Sequence, residues 1–283
     1  MVELKRRRFG LDICGARTIL ASRSMESGLN VIDMIEEVPE ENLEDRLKSG
    51  EGDLYFSISE NNALIKRIAQ PYDHGLDDAA VARFEFASSL LDDPEKYFID
   101  IHEIESTKAR LAVGYNKSKV DEIIARLGAR QDRPAGFKLR SLALAKAYLS
   151  LCKAEGGHLV CLIDIEKDHC TYCFVFDKTA VLPGALWFSS NNGQKQNSDI
   201  DRNMLDLAAT VQYRLAELSR GGLSDPLSRL IISGPGVDDS VLSKLEKLLK
   251  ISTGRPQPSK ASFKDDLHLK APEAMVALGL TIG

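Results

Sequence analysis

The chain opens twice in the same way, and this duplication restricts what it can fold into more than any other feature. FGLDI and TILAS, then NVIDMIEEV, then LYFSI and ALIKRIA read as consecutive strands joined by short turns, with Asn61-Asn62 turning the last pair into a hairpin. From residue 159 the plan returns as LVCLIDI, TYCFVF and AVLPGALWF. Each set places an aspartate late in its first strand, Asp12 in one and Asp164 in the other. Two related sheet-bearing halves follow from that pattern.

Between the two sets the hydrophobic period changes. After Pro71, the residues Ala80, Phe84, Ala87 and Leu91 recur at helical spacing behind a cap at Asp77. An alternating strand with Leu111, Val113 and Tyr115 comes next, then a helix with Val120, Ile123, Ile124 and Leu127 on one stripe, opened by Ser118 and Asp121. Residues 71–129 are therefore expected to form a small α+β insert. Residues 139–152 predict a helix that Gly156-Gly157 ends. Residues 1–70 and 130–155 then make the first half, and residues 156–283 the second. In the second half a polar stretch, 191–201, leads to a helix bearing Met204, Leu205, Ala208, Val211, Leu215 and Leu218. A strand at 230–233, the turn Gly234-Pro235-Gly236 and a helix through 241–249 complete an α/β pattern.

Composition narrows the function. The formal charge of −5 gives a field that repels nucleic acid and anionic lipid, which argues against a polyanion-binding protein. No apolar run reaches the roughly 18 residues a bilayer span needs, so direct membrane insertion is not expected and the cytosol is the expected location. The 5 cysteines, an odd number, fit reduced thiols. Cys170 and Cys173 have C-x-x-C spacing, but in a strand such residues point to opposite faces, which speaks against a zinc or redox site. His169 reads as a strand-end residue, and no metal site is expected.

The duplicated plan, with its paired aspartates, resembles the actin, sugar kinase and Hsp70 superfamily, an actin-like, ribonuclease H-like fold. In order along nearly the whole chain, LDICGARTI, LYFSISENNALIKRIAQP, RFEFASSLLDDPEKYFID, RLAVGYNKSKVDEIIARLGA, LIISGPGV and APEAMVALGLTIG resemble landmarks of the PilM-type proteins of type IV pilus assembly. Those are relatives of FtsA and of the GspL cytoplasmic domain of type II secretion. The resemblance implies a nucleotide site built from Asp12, Gly15, Thr18, Asp164, Gly234 and Gly236. In that superfamily the glycines let backbone N–H groups approach phosphate.

The departures weaken that site. Cys14 and Glu166 stand where nucleotide-binding members carry glycine. At about 4 to 5 Å and an effective dielectric near 20, each carboxylate–phosphate pair costs about 3 to 4 kcal/mol before screening. Unless a bound Mg²⁺ or Lys167 neutralises Glu166, nucleotide binding is expected to be weak or lost. The 191–201 stretch is also too short for the outer subdomain that the family carries there. No cofactor is therefore expected, or at most Mg-ATP held weakly, no better than roughly 100 μM. The resemblance implies a non-catalytic cytoplasmic scaffold, peripheral at the inner membrane. Its partners would be the cytoplasmic tail of a bitopic PilN-like protein and other assembly proteins. The tail would lie in a groove between the first half and the insert, lined by Phe84, Phe86, Leu90 and Tyr97. The alternative is a weak ATPase or small-molecule kinase.

Overall fold

The structure, a computed structural model, describes residues 7–14, 17–26, 29–48, 52–69, 78–104, 109–127, 134–153, 156–188, 197–235 and 237–282. Arg8–Cys14 (β1), Arg17–Glu26 (β2) and Leu29–Glu37 (β3) form an antiparallel meander. The short helix Leu43–Lys48 (α1) carries the chain over to Asp53–Ile58 (β4), which lies parallel to β1. The expected hairpin from β4 to Ala63–Ala69 (β5) does not form. Residues 60–62 make a single 3-10 turn whose Glu60 is buried, and β5 leaves for another sheet. The free edge of β4 is taken instead by a later strand.

That other sheet has three strands in the order β5, Ala109–Asn116 (β7), Tyr97–Ile104 (β6), all antiparallel. The helix Asp78–Ser88 (α2) covers one face with Ala82 and Phe86, so the small sheet begins at residue 63 rather than 71. The helical stripe expected from the sequence is on the wrong side. Phe84 is exposed and Leu91 lies beyond the helix, fully exposed. The expected cap Asp77 lies outside the described residues. The helix Lys117–Arg126 (α3) follows, with Asn116 rather than Ser118 as its cap, its side chain accepting from Ser118 N at 3.0 Å.

Pro134–Leu139 (β8) returns to the first sheet, parallel to β4, giving the order β3-β2-β1-β4-β8, and runs straight into Arg140–Leu151 (α4). The second half repeats the plan. Leu159–Ile165 (β9), His169–Phe176 (β10) and Thr179–Trp187 (β11) form the meander. A long helix, Asn197–Arg220 (α5), crosses to Leu227–Ser233 (β12), parallel to β9. Asp239–Leu249 (α6) leads to Ser252–Gly254 (β13), and the order is β11-β10-β9-β12-β13. The end of the polar 191–201 stretch is thus already helical. The central strand β9, LVCLIDI, is buried over its first six residues, as a strand covered on both faces must be. Cys170 and Cys173 fall into separate cores on opposite faces of their strand, and both are free thiols.

The last helix, Met275–Thr281 (α7), is buried throughout and packs chiefly against α4, β1, β2 and β4. Two glycines permit the approach. A Cβ on Gly10 would lie 2.1 Å from the Ala277 carbonyl oxygen, and one on Gly279 would lie 1.8 Å from that of Ala143. Gly279→Ala is therefore expected to cost at least about 2 kcal/mol in urea unfolding. An unchanged midpoint would mean that α7 does not seat against α4.

Candidate functional site

Arg140 is the first residue of α4, and it is 1% exposed. A cation at a helix N-terminus opposes the helix dipole, so strong anionic partners must hold it there. Nη2 donates to Asp12 Oδ2 at 3.0 Å, Asp164 Oδ2 at 3.1 Å and Glu166 Oε1 at 3.4 Å. Nη1 donates to His169 Nε2 at 2.9 Å. An arginine cannot accept, so His169 carries its proton on Nδ1 and donates it to Asp168 at 2.7 Å. The imidazole stacks on Trp187, with ring centroids 4.5 Å apart, and the indole N–H donates to Asn61 at 2.6 Å.

The duplication of the sheets extends into this site. Asp12 is on β1 and Asp164 on β9, the corresponding strands of the two sheets. The second oxygen of each is fixed by a serine from the parallel neighbour: Ser57 on β4 donates to Asp12 Oδ1 at 2.6 Å, and Ser233 on β12 to Asp164 Oδ1 at 2.7 Å. Glu60, from the turn after β4, accepts the Ser141 N–H at 2.8 Å and so caps α4, which lacks a side-chain cap of its own. Arg17 at the start of β2 brings a second guanidinium, 3.9 Å from Glu166, and also reaches Glu37 at 3.1 Å.

Three buried carboxylates thus share Arg140, with Arg17 further off. Burial pushes Glu166 up to about 7, reinforced by Asp164 and opposed by Arg140. Asp164 is raised for the same leading reason, with Arg140 and the Ser233 hydrogen bond pulling the other way. Burial also raises Glu60 despite its bonds to Ser141.

Of the residues expected to hold nucleotide, the structure brings Asp12 and Asp164 together. Thr18 is buried in β2 opposite Ile13. Gly234 has φ of 111°, and a Cβ there would lie 2.1 Å from the Ile165 carbonyl oxygen, so it serves a close approach between the ends of β12 and β9. Gly15 and Gly236 lie outside the described residues. Phe84, Phe86, Leu90 and Tyr97 do not line a groove facing the first half. Phe86 fills the core under α2, Leu90 packs beside it, Tyr97 alternates onto that same face, and Phe84 points outward. The sequence reading missed Arg140, Arg17 and Ser57, and it gave His169 no role beyond the strand end that it occupies. One signal was available: an arginine at the first position of a largely apolar helix.

These residues do not fit the Mg²⁺-nucleotide that the superfamily implies. Mg²⁺ needs oxygen ligands or waters at about 2.1 Å in an octahedron. The Arg140 nitrogen lies within 3.0–3.4 Å of all three carboxylate oxygens, and Glu166 adds a third buried acid where a phosphate would approach. Among the described residues no group of three or more His, Cys, Asp or Glu side chains is arranged to hold a metal ion.

Fold and site together define an actin-like protein whose paired aspartates are bound to an arginine. No protein-family model matches the sequence, and no curated protein is detectably similar to it. Among solved structures, a chain of the PilM-PilN type IV pilus biogenesis complex superposes with a TM-score of 0.75 at 14% identity, over 98% of both chains. A Bacteroides thetaiotaomicron protein of actin-like ATPase fold and unknown function gives 0.54 at 11% identity, over 96% of this chain and 98% of that one. The cytoplasmic domain of EpsL, an inner-membrane component of the Vibrio cholerae type II secretion system, gives 0.54 at 9%, over 97% and 93%. The chain has their fold, the actin-like fold anticipated from the duplicated opening.

A raised carboxylate has a definite pH consequence. Unfolded, Glu166 titrates near 4.5, and folded near 7. Its burial costs nothing below the first value, a growing amount between them, and the full amount above the second, about 3 kcal/mol. Glu166→Gln should therefore match the wild-type chain in unfolding free energy at pH 4.5 and exceed it at pH 8. A difference that shrinks as pH rises would contradict the assignment.

Proposed function

We propose that this chain is a non-catalytic cytoplasmic scaffold of a type IV pilus or type II secretion-like assembly, recruited to the inner membrane by the cytoplasmic tail of a bitopic, PilN-like partner. The observation that carries the reading is the likeness, over 98% of both chains, to a chain of the PilM-PilN complex. The guanidinium between the paired aspartates agrees with it, because it fills the place where this fold would do phosphate chemistry. No helix among the described residues is long and apolar enough to cross a membrane.

The docking place supported best is the seam between the first sheet and the small one. There β8 and β6 are outer strands, each paired on one side only among the described residues. Rings from the two meet, Phe98 on β6 and Phe137 on β8 with centroids 5.7 Å apart, and Phe98 remains 42% exposed. Phe98, Asp100 and His102 alternate onto the side of the small sheet that carries Leu111, Val113 and Tyr115, facing away from α2. An extended peptide there gains backbone hydrogen bonds from a free strand edge and an apolar anchor from Phe98.

Titration of a peptide copying the cytoplasmic tail of a PilN-like protein from the same cell should give a dissociation constant in the micromolar range. Phe98→Asp should weaken it at least tenfold, and Phe84→Ser should leave it unchanged. Loss in Phe84→Ser but not in Phe98→Asp would move the site to the α2 face. No binding, together with Mg-ATP bound tighter than roughly 100 μM, would favour the ATPase reading over the scaffold.

A further inference from the structure

We infer that Arg140 is a built-in cation: its guanidinium stands among three convergent carboxylates and supplies the counter-charge that a diffusible cation would otherwise have to bring. Oxygens of Asp12, Asp164 and Glu166, drawn from both sheets, converge on a single nitrogen at 3.0, 3.1 and 3.4 Å. All three side chains are at most 7% exposed. Ser57 and Ser233 hold the remaining oxygens of the two aspartates, so these carboxylates are aimed at that point by their own strands and not by the arginine. Convergent, buried, pre-aimed carboxylate oxygens are what a hard cation requires.

Burying three such acids without a positive charge is prohibitive, and the arginine fork supplies that charge while using its other nitrogen on His169. A fixed guanidinium also needs no exchange with solvent. The two sheets are consequently tied at this point without any metal or nucleotide, and Mg²⁺ is excluded by occupancy. The inference concerns the site between the sheets and is independent of where a partner docks.

The test uses the sole tryptophan, Trp187, which stacks on the histidine that Arg140 contacts, as a fluorescent reporter. In the wild-type chain, millimolar MgCl₂ should change neither Trp187 emission nor melting temperature. Arg140→Ala should melt lower, and both MgCl₂ and methylguanidinium should raise its melting temperature saturably, with Mg²⁺ bound at least tenfold tighter than by wild type. Adding Asp12→Asn to that variant should abolish the Mg²⁺ response. Wild-type binding of Mg²⁺ as tight as that of Arg140→Ala would overturn the inference, as would an Arg140→Ala protein that folds and ignores both cations. Should Arg140→Ala fail to fold, Arg140→Lys decides. That variant keeps a positive charge at the site, so its Trp187 emission and melting temperature should stay unmoved by millimolar MgCl₂, and a saturable Mg²⁺ response in it would overturn the inference.

Discussion

The contact of one guanidinium with carboxylates from two sheets is the interaction on which the arrangement of this molecule turns. Asp12 and Asp164 end the central strands of separate sheets, and Arg140 opens the helix that packs on both of them. A buried ion cluster is no general source of stability, because desolvation offsets much of the attraction. Its effect is on the alternatives. Any arrangement that parts the sheets leaves a buried charge without its counterion, a penalty of about 3–5 kcal/mol for a broken buried pair. The cluster therefore penalises misplacement of one half against the other more than it rewards folding as such.

Several features support the same arrangement. Glu60 caps α4 from the turn after β4 and also accepts from Thr171 on β10, so the carboxylate that holds the helix carrying Arg140 is itself held by the second sheet. This carboxylate is buried and raised, a group in use as a hydrogen-bond acceptor and not as a solvated charge. On the other side of the site, Trp187 and Asp168 fix the ring and tautomer of His169, which leaves Nε2 free to accept from the guanidinium. The C-terminal helix α7 then closes over α4, at a distance that only glycine at 279 allows.

The duplicated strand plan was legible in the sequence because central strands buried on both faces are near-continuous apolar runs, and LVCLIDI and FGLDI have few other readings. The two aspartates were legible as a pair for the same reason. What could not be read was side-chain direction in the insert. Tyr97 and Phe98 are adjacent, and a shift of one residue in a strand exchanges the faces, so Tyr97 lies on the α2 side and Phe98 on the other. In α2 the spacing of Ala80, Phe84 and Ala87 matched a helix, but Ala82 and Phe86 matched it as well, and only the tertiary fold decides between them. Arg140 was missed for a different reason. Nothing local links residue 140 to residues 12 and 164, and the one clue is electrostatic, a cation placed at the unfavourable end of its own helix.

That clue bears on how this fold changes its use. Two aspartates on equivalent strands, each steadied by a serine from the parallel neighbour, form a pre-aimed pair that must be neutralised by something. A diffusible cation with phosphate makes the link between halves conditional on a ligand. A guanidinium tethered to the backbone makes the link permanent and, through Glu166, adds a third acid that further disfavours phosphate. One arginine at the start of α4 and one glutamate after β9 thus act in the same direction. The arginine without the glutamate leaves room for phosphate oxygens to replace a carboxylate on the guanidinium, and the glutamate without the arginine is a third buried negative charge with only Arg17, at 3.9 Å, to offset it.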